Sequence, residues 1–308
     1  LAAARIAVEA AREAEINRYG VWGSGEMAEA YEAMHTVTTW LTVWQPFEGV
    51  ISPPCMWHNG QTGANYSLFE WDTYFSAYML SIDRSSKRVA YNTFIAMTKS
   101  ITPQGIVPNG AAAMWRSWDR TEPPVGAKIL HEMWVRWGDK WVVEATFDEL
   151  MAWNDWFWRR RRLMPLGMIC LGSDLNPGAD ADPLAGTHIG ATLESGLDNS
   201  PMYCDCPPSN ASCIDTDNLC PMDGRFFDNE TFHMQSYDVG FNGMYMMETE
   251  ALANLADVIG RTDDAVELRA RFEEIGGLVR DNLWNEETGM FMNRLSVERE
   301  GRPDGWLP

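Results

Sequence analysis

The sequence predicts an all-α protein in which long loops connect the helices. Apolar residues recur at helical spacing in most of the regular segments of the chain. Two of these segments, Gly240–Ile259 and the segment after Thr262, form a predicted αα-hairpin because the stop signal Gly260 lies between them. Runs that alternate apolar and polar residues between turn signals are nearly absent, which favours helices packed on helices over a sheet architecture.

Six further helices are predicted before this hairpin. The last of them closes with the basic run Arg159–Arg162, which we interpret as a solvated helix terminus where cations oppose the negative end of the helix dipole. In the hairpin, Thr262 is the expected N-cap of the second helix. The six ranges are Ala2–Arg18, Met27–Trp44, Trp71–Ile82, Lys87–Ser100, Ala127–Trp137 and Thr146–Arg162.

Four long loops carry much of the Pro, Gly and Trp content of the chain. Loops of this length are uncommon in a compact helical protein unless they build a site. We find no repeat or linker that marks a boundary, so residues 1–308 are predicted to form a single domain. A toroid of helical hairpins with its site at the loop end fits this pattern. The loops are Pro46–Gly63, Thr102–Asn109, Ser117–Gly126 and Ser173–Asn229.

The chain is strongly acidic, with 24 Lys and Arg residues against 44 Asp and Glu residues and a formal net charge of −20. This charge repels phosphate backbones and anionic membrane surfaces, so nucleic acid is not an expected partner. No membrane span is expected either, because the longest nearly apolar stretch, Leu163–Gly172, contains a proline and is far shorter than the roughly 20 residues required. The sequence starts at Leu1 without a recognisable signal peptide, so we expect any such peptide to have been removed or to lie outside it.

Four of the six cysteines crowd into the segment 202–229, together with Pro, Ser, Asn and Asp residues. A zinc site would place its thiolates in CxxC-like pairs, so this spacing favours a loop closed by disulfides over a metal site. Sequons for N-glycosylation, which also arise by chance, point to the same compartment, and we predict a secreted protein or one in the lumen of the secretory pathway. The cysteines are Cys204, Cys206, Cys213 and Cys220, and the sequons begin at Asn65, Asn210 and Asn229.

Tryptophan is abundant, with 15 residues, and many lie in or beside the predicted loops. A pyranose ring stacks its apolar face on a flat aromatic side chain while its hydroxyls seek charged or amide partners. The pair Trp71 and Asp72, at a junction between a loop and a helix, suits a carbohydrate site and a structural role equally well. Trp153, Trp156 and Trp158 lie within a predicted helix and are expected to pack in the core.

A second candidate constellation is the segment 194–201, ESGLDNSP. Glu194 and Asp198 are four residues apart and can share one face of a turn, and Gly196 between them would let a ligand approach the backbone. Like charges held close together raise one pKa, which keeps one carboxyl protonated for donation to a glycosidic oxygen. The alternative is an ordinary capped loop in which Asp198 makes turn hydrogen bonds.

Other chemistries are disfavoured. The five histidines form no HExxH or similar pair, and the chain contains no P-loop, GxGxxG or GxSxG motif. We therefore predict neither a catalytic metal nor a cofactor. The segment 174–176 resembles the opening of a calcium loop, but the Pro-Gly-Ala that follows breaks the pattern, so we interpret it as a turn.

Four motifs now follow one another in the chain: FEWDTYF at 69–75, GIVPN at 105–109, DRTEPP at 119–124 and ESGLDNSP at 194–201. Their order and rough spacing resemble the family 63 glycoside hydrolases, which include the processing α-glucosidase of N-glycans and bacterial relatives that act on small glucosides and mannosylglycerate-type substrates. The set is also similar to the family 37 trehalases, in which the last motif reads ESGWD. One such motif alone is a weak signal, whereas four in order are specific.

The resemblance implies an (α/α)6 barrel and an inverting mechanism, with Asp198 as the general acid that protonates the leaving oxygen. It implies that Trp71 and Asp72 bind the sugar whose bond is cut, that Asn109 holds its hydroxyls and that Arg120 lines the same subsite. These residue types suit an oxocarbenium-like transition state. The remaining members of the predicted substrate-binding set are Glu122, Glu194 and Gly196.

The catalytic base is not identifiable in this chain. In the families that it resembles, the base comes from the carboxyl-terminal part of the barrel, well after the segment Leu283–Gly289, so the chain is expected to cover about the first two thirds of the catalytic domain. Glu286 and Glu287 are not assigned as the base. Glu122 stands where the family usually has Gln, and the cysteine-rich segment 202–229 is an insertion.

Three hypotheses therefore stay open at the sequence level. The chain is an inverting hydrolase of an α-glucoside or a related α-linked small saccharide, or it is a catalytically inactive carbohydrate-binding or structural glycoprotein. Alternatively, a carboxyl-terminal fragment or partner chain completes the barrel and covers an apolar face that half a toroid would expose.

Overall fold

The computed structural model of the protein describes residues 3–7, 9–10, 26–45, 49–51, 55–56, 66–83, 86–112, 115–175, 182–197, 200–203, 227–297 and 305–307. Several of the predictions made above fall on other residues. The proposed acid Asp198, the four clustered cysteines and the sequons at Asn65 and Asn210 lie outside the described residues. The sequon residue Asn229 is described, and it is exposed in a turn.

The described chain is mainly helical, as predicted. Residues 3–7 and 9–10 are helical, within the range predicted for the first helix. The longer helices are α1 (Glu26–Trp40), α2 (Glu70–Ile82), α3 (Lys87–Thr98), α4 (Gly126–Trp137), α5 (Lys140–Arg160), α6 (His188–Leu193), α7 (Val239–Ile259) and α8 (Thr262–Leu283). Among the described helices, none combines the length and apolar character that crossing a bilayer requires.

The helices pack as neighbouring hairpins around one apolar core. Helix α2 packs on α3, α7 packs on α8, and α7 also contacts α4 and α5. The core between them contains fully buried aromatic residues, including Tyr74, Trp153 and Tyr245. The prediction that Trp153 and Trp156 are core residues is confirmed, and Trp158 is partly buried against the same core.

Helix boundaries follow the local signals at some ends and tertiary packing at others. Helix α7 ends at Gly260, which is left-handed with φ 80°, as predicted. The predicted cap of α8 was wrong by one residue, because Arg261 is the N-cap and Thr262 is the first helical residue. Helix α5 begins at Lys140, six residues before the predicted start, because Val142 and Val143 are buried in the core and tertiary packing outweighs their weak helix propensity.

Short strands occupy the loops, and the sequence patterns did not reveal them. They are β1 (Val43–Gln45), β2 (Gly49–Ile51), β3 (Cys55–Met56), β4 (Tyr66–Phe69), β5 (Gly110–Ala112), β6 (Trp115–Arg116), β7 (Arg162–Leu163), β8 (Met168–Ile169), β9 (Phe227–Asp228), β10 (His233–Met234), β11 (Ser236–Tyr237), β12 (Trp284–Asn285), β13 (Met290–Phe291) and β14 (Arg294–Leu295). Strands of two to four residues are too short for alternation to be detected. Helix α6 also lies inside the segment predicted as the loop Ser173–Asn229.

One sheet matters for the site, the antiparallel sheet with strand order β3-β4-β5-β6. It pairs Phe69, the residue before α2, with Gly110, the residue after the GIVPN motif. The backbone N–H of Glu70 then donates to the carbonyl of Asn109 at 3.1 Å. The sheet therefore holds the first two of the four sequence motifs side by side.

Candidate active site

A cavity of about 350 Å³ opens between the N-terminus of α7, the described residues 195–197 and 202–203, and Trp71. Most of its wall is apolar, and a smaller part carries hydroxyl, carboxyl and amide groups. The apolar wall residues are Trp71, Pro123, Leu197, Met202, Phe241 and Met244, beside Gly240, and the polar ones are Ser195, Tyr203, Asp238 and Asn293. Trp71 and the ESGLD turn, predicted from separate motifs, thus border one cavity.

The indole of Trp71 lies directly against Gly196. Gly196 has φ +68°, and a Cβ placed on it would lie 2.5 Å from Cζ2 of Trp71. Only glycine fits, because the backbone is left-handed and the ring fills the space that a side chain would take. In the structure the indole of Trp71 occupies the space beside this glycine, and the expected approach of a ligand to its backbone stays a prediction.

Glu122 fixes the position of Trp71 from the side of the DRTEPP motif. One of its carboxyl oxygens accepts the backbone N–H of Trp71 at 3.0 Å, and the other accepts the side-chain amide of Asn109 at 2.8 Å. Both Glu122 and Asn109 are buried, and neither is among the cavity-wall residues given above. Asp72, which follows Trp71, is exposed in the first turn of α2.

Glu194 is fully buried behind the ESGLD turn, where its carboxylate accepts four hydrogen bonds. Two come from the Arg161 guanidinium at 2.8 and 3.0 Å, and two come from the backbone N–H groups of Thr121 at 3.2 Å and Gly172 at 2.6 Å. Burial raises the pKa of Glu194 to about 7, while these four donors oppose the rise. The structure therefore gives this carboxylate partners within the protein, and it is not among the wall residues of the cavity.

The interpretation of Arg159–Arg162 as a solvated helix end was wrong for Arg161. Helix α5 ends at Arg160, and the next residue turns inward so that the Arg161 side chain is fully buried. It donates to Glu194, to Asp174 at 2.9 Å and to the carbonyl of Asp119 at 3.0 Å, and its guanidinium lies 4.4 Å from the centre of the Trp156 ring. The side chains of Arg159 and Arg160 are exposed, so the interpretation holds for them.

Arg120 forms a second buried ion-pair group. Its guanidinium bonds Asp119 at 2.9 Å and Asp182 at 3.0 Å, and the charges of these carboxylates raise its pKa against the opposing effect of burial. Ser173 also donates to Asp119, at 2.6 Å. The predicted residue Arg120 is thus near the other motifs, with its charge balanced by carboxylates.

The described residues on the two sides of position 198 are joined by hydrogen bonds. The hydroxyl of Ser195 accepts the N–H of Leu197 at 3.0 Å, and the N–H of Ser200 donates to the carbonyl of Leu197 at 2.9 Å. A 3-10 turn, Pro201–Tyr203, follows. Ser195 and Leu197 line the cavity, so the described residues just before position 198 face it.

Sequence reasoning missed the polar group Asp238, Tyr203 and Asn293 in the cavity wall. The Tyr203 hydroxyl donates to Asp238 at 2.9 Å and the Asn293 amide donates to it at 3.3 Å, while the other carboxyl oxygen of Asp238 caps α7 through the N–H of Phe241 at 2.8 Å. Burial raises the pKa of Asp238, and these donors oppose the rise. The available signal was an Asp just before a clear apolar helix, which is a typical N-cap.

Two more buried carboxyl groups lie beneath the site. Glu248 accepts the backbone N–H groups of Ala127 and Lys128 at the start of α4, and burial raises its pKa to about 7. Glu70 is fully buried, and neither of its carboxyl oxygens has a hydrogen-bond partner among the residues that the structure describes. Burial, followed by the nearby carboxylates of Glu122 and Glu248, raises the pKa of Glu70 well above its ordinary value of 4.5.

The cavity combines a flat aromatic wall with a few convergent polar groups. This combination, in a space of a few hundred cubic ångströms, suits a small polyhydroxylated ligand, whose apolar ring face stacks on indole while its hydroxyls bond carboxylate and amide groups. Of the predicted residues, Trp71 borders the cavity and Gly196 supports it. Glu122 and Asn109 hold Trp71, and Glu194 and Arg120 lie in ion-pair networks behind it.

Comparison with known proteins places these features in a family. The sequence model of the mannosylglycerate hydrolase MGH1-like glycoside hydrolase domain matches residues 65–303. The structure of a GH63 mannosylglycerate hydrolase from Thermus thermophilus in complex with glucose has a TM-score of 0.58 at 17% identity, with 85% of this chain and 66% of that chain covered. An uncharacterized conserved protein from the same organism has a TM-score of 0.53 at 18% identity, with 75% and 61% covered.

The prediction of an (α/α)6 barrel fold is confirmed by this structural likeness. The chain spans 61% and 66% of the lengths of these two solved proteins. A search among curated proteins gave no match.

Proposed function

The chain belongs to the mannosylglycerate hydrolase MGH1-like glycoside hydrolase domain family, and on this premise we propose that it is an inverting glycosidase with Asp198 as its general acid. The proposed substrate is an α-glucoside or a related α-linked small saccharide. This substrate class follows from the motif resemblance, and the partner of the protein is accordingly a carbohydrate.

One observation carries the proposal: Trp71 borders the same cavity as Ser195 and Leu197, the described residues just before position 198. A sugar stacked on Trp71 would lie next to Ser195 and Leu197, and Asp198 directly follows Leu197 in the sequence. This arrangement supports proton donation to a glycosidic oxygen, since a general acid must lie within hydrogen-bond reach of that oxygen.

Inversion also requires a base carboxylate, set farther from the acid so that a water molecule fits between it and the anomeric carbon. In the described part of the cavity wall the one carboxyl group is that of Asp238, and its oxygens already cap α7 and accept from Tyr203. We therefore do not assign it as the base. The roles of Asp72, Asn109 and Arg120 in binding the sugar stay predictions from the resemblance.

The direct test is Asp198→Asn, measured on trehalose, kojibiose, nigerose and mannosylglycerate. General acid catalysis is worth about 10²- to 10⁴-fold, so turnover of the best substrate should fall by that amount. Asp228→Asn is the matched control, because that carboxylate lies in the β9–β10 hairpin and is not among the cavity-wall residues. Inversion is tested by NMR of the first-formed anomer. Full turnover in Asp198→Asn, or a product that retains the anomeric configuration, contradicts the proposal.

The second candidate, a carbohydrate-binding protein without turnover, is favoured by the absence of an assignable base on the described wall. It predicts that sugars quench tryptophan fluorescence through Trp71 while no substrate in the panel is cleaved. Hydrolysis abolished by Asp198→Asn excludes it. A complementing carboxyl-terminal fragment or partner chain stays a prediction, tested by intact mass and size-exclusion chromatography of the protein from its source.

We also propose a location in the secretory pathway. Its support is the exposed sequon residue Asn229, whose turn leaves the side chain accessible for glycosylation. The test is a mass shift on enzymatic deglycosylation after expression in a eukaryotic secretory host, with Asn229→Gln as control. Identical masses before and after treatment contradict glycosylation.

A further inference from the structure

We infer that Asp238 is a positioning residue for the proposed acid Asp198: through its hydrogen bond with Tyr203 it ties the described residues that follow position 199 to the N-terminus of helix α7. The inference rests on the proposed function, because it assigns a role relative to the general acid. Asp238 lies 40 residues from Asp198 in the sequence, and its connection to the turn arises from the fold.

Hydrogen bonds join the described residues of this turn into one unit. Its described residues, 195–197 and 200–203, are linked by the Ser195–Leu197 and Ser200–Leu197 hydrogen bonds, and the N–H of Met202 donates to the hydroxyl of Ser200 at 3.3 Å. A displacement at Tyr203 is therefore transmitted along hydrogen bonds to the residues on both sides of Asp198.

Tyr203 anchors this unit. Its side chain is buried, its hydroxyl donates to Asp238 at 2.9 Å, and its carbonyl bonds Nε2 of His188 at 3.0 Å. The hydroxyl contact is a charge-assisted hydrogen bond between buried groups, which makes it stronger than a neutral one. Without it, the phenol ring would still pack, but its polar end would lose the bond to helix α7 and keep only its hydrogen bond with Ser195.

Asp238 is itself held by hydrogen bonds to both of its carboxyl oxygens. One carboxyl oxygen caps α7, a helix of 21 residues, and the Asn293 amide donates to the other while the Asn293 side-chain oxygen accepts the N–H of Val239 at 2.8 Å. Residues Gly240 and Phe241 of the same helix end line the cavity. Asp238 thus sets the distance between two walls of the cavity, one of which is formed by described residues on both sides of position 198.

The experiment compares substrates that differ in their need for an acid. An unactivated α-glucoside requires protonation of its leaving oxygen, whereas α-glucosyl fluoride does not. A misplaced general acid slows only the first reaction, and misplacement by about 1 Å costs on the order of 100-fold. We expect Tyr203→Phe to lower kcat on the glucoside by about 10- to 100-fold and to lower kcat on the fluoride by a much smaller factor.

Two companion variants sharpen the result. Asp238→Asn keeps a good N-cap for α7 but loses one of the two acceptor oxygens, and combined with Tyr203→Phe it should cost no more than either change alone. The matched control is Tyr91→Phe, because the Tyr91 hydroxyl also donates at 2.9 Å to an N-cap aspartate, Asp139 of helix α5, away from the cavity. Tyr91→Phe should leave kcat on both substrates unchanged.

Equal losses on the two substrates, additive losses in the double variant, or full glucoside turnover in Tyr203→Phe would overturn the inference. If the wild-type protein cleaves neither substrate, the proposed function fails, and amide hydrogen exchange then decides the positioning role alone. Faster exchange at Ser200 and Met202 in Tyr203→Phe, but not in Tyr91→Phe, supports the anchor, and unchanged exchange refutes it.

Discussion

The contact between Trp71 and Gly196 makes a quantitative prediction for Gly196→Ala. Alanine at position 196 would have to adopt a left-handed backbone with φ +68°, and its Cβ would lie 2.5 Å from the indole of Trp71. The backbone term costs about 1–2 kcal/mol, and overpacking against a buried neighbour costs about a further 1–3 kcal/mol. We therefore expect the free energy of unfolding to fall by about 2–5 kcal/mol.

The chain offers a control that separates these two terms. Gly260 is also left-handed, with φ +80°, but a Cβ there meets nothing within 4 Å. Gly260→Ala should therefore cost only the backbone term, about 1–2 kcal/mol. The difference between the two variants, measured by urea unfolding with equal m-values, isolates the contact with Trp71.

The result that would refute this reasoning is an equal loss in both variants. A second check is Gly196→Ala in a Trp71→Ala background, where the extra cost should fall to that of Gly260→Ala because the clashing ring is absent. Gly196→Ala should also lower hydrolysis, since the ring it displaces borders the cavity, whereas Gly260→Ala should not. Persistence of the full cost without the ring would point to a different neighbour.

Two further predictions concern buried carboxyl groups. Because the pKa of Glu70 is raised in the folded protein, folding takes up a proton above pH 4.5, and stability falls by about 1.4 kcal/mol per pH unit until the pH passes the folded pKa. Glu70→Gln should remove this loss, so the stability of the variant relative to wild type, measured by urea unfolding, should rise between pH 5 and pH 7. Parallel curves of stability against pH for the two proteins would contradict this prediction. Glu194→Ala should leave Arg161 buried without its main partner and lower the free energy of unfolding by about 3–5 kcal/mol. The exposed control Glu287→Ala should change it by almost nothing. Equal urea midpoints for the two variants would refute the role of the ion pair.

Periodicity predicted the helical class and most helices because their determinants are local. The apolar face of α8 and the glycine stop at Gly260 are readable within a few residues, and the structure has both. The early start of α5 was not readable, since Val142 and Val143 are helical only because the core covers them. The two-residue strands were not predicted, because they are too short to show a period.

The site was harder to predict because its contacts are non-local. Arg161 looks like its exposed neighbours in sequence, and only the carboxylate of Glu194, 33 residues away, shows why it is buried. The contact between Gly196 and Trp71 joins residues that no pattern connects. A positive φ was predictable from the glycine, but the neighbour that occupies the space beside it was not.

Two buried glutamates explain why the four motifs occur together. Glu122 of DRTEPP accepts from Trp71 of the first motif and from Asn109 of the second. Glu194 of the fourth motif accepts the N–H of Thr121, in the third. Each carboxylate thus ties its own motif to another through a buried hydrogen bond, and an unpaired donor in that position would cost about 1–3 kcal/mol.

This arrangement gives a physical meaning to the glutamate at position 122, where the resembling families usually have glutamine. A glutamate offers two acceptor oxygens, one for the Trp71 N–H and one for the amide NH₂ of Asn109. A glutamine offers one oxygen and one NH₂ group, so if its oxygen kept the Trp71 N–H, its NH₂ would face Asn109, whose amide would have to turn over to present its own oxygen. The residue at 122 therefore decides the orientation of the Asn109 amide. With glutamate, as in this chain, the amide oxygen of Asn109 points away from residue 122, and with glutamine the NH₂ group of Asn109 would do so.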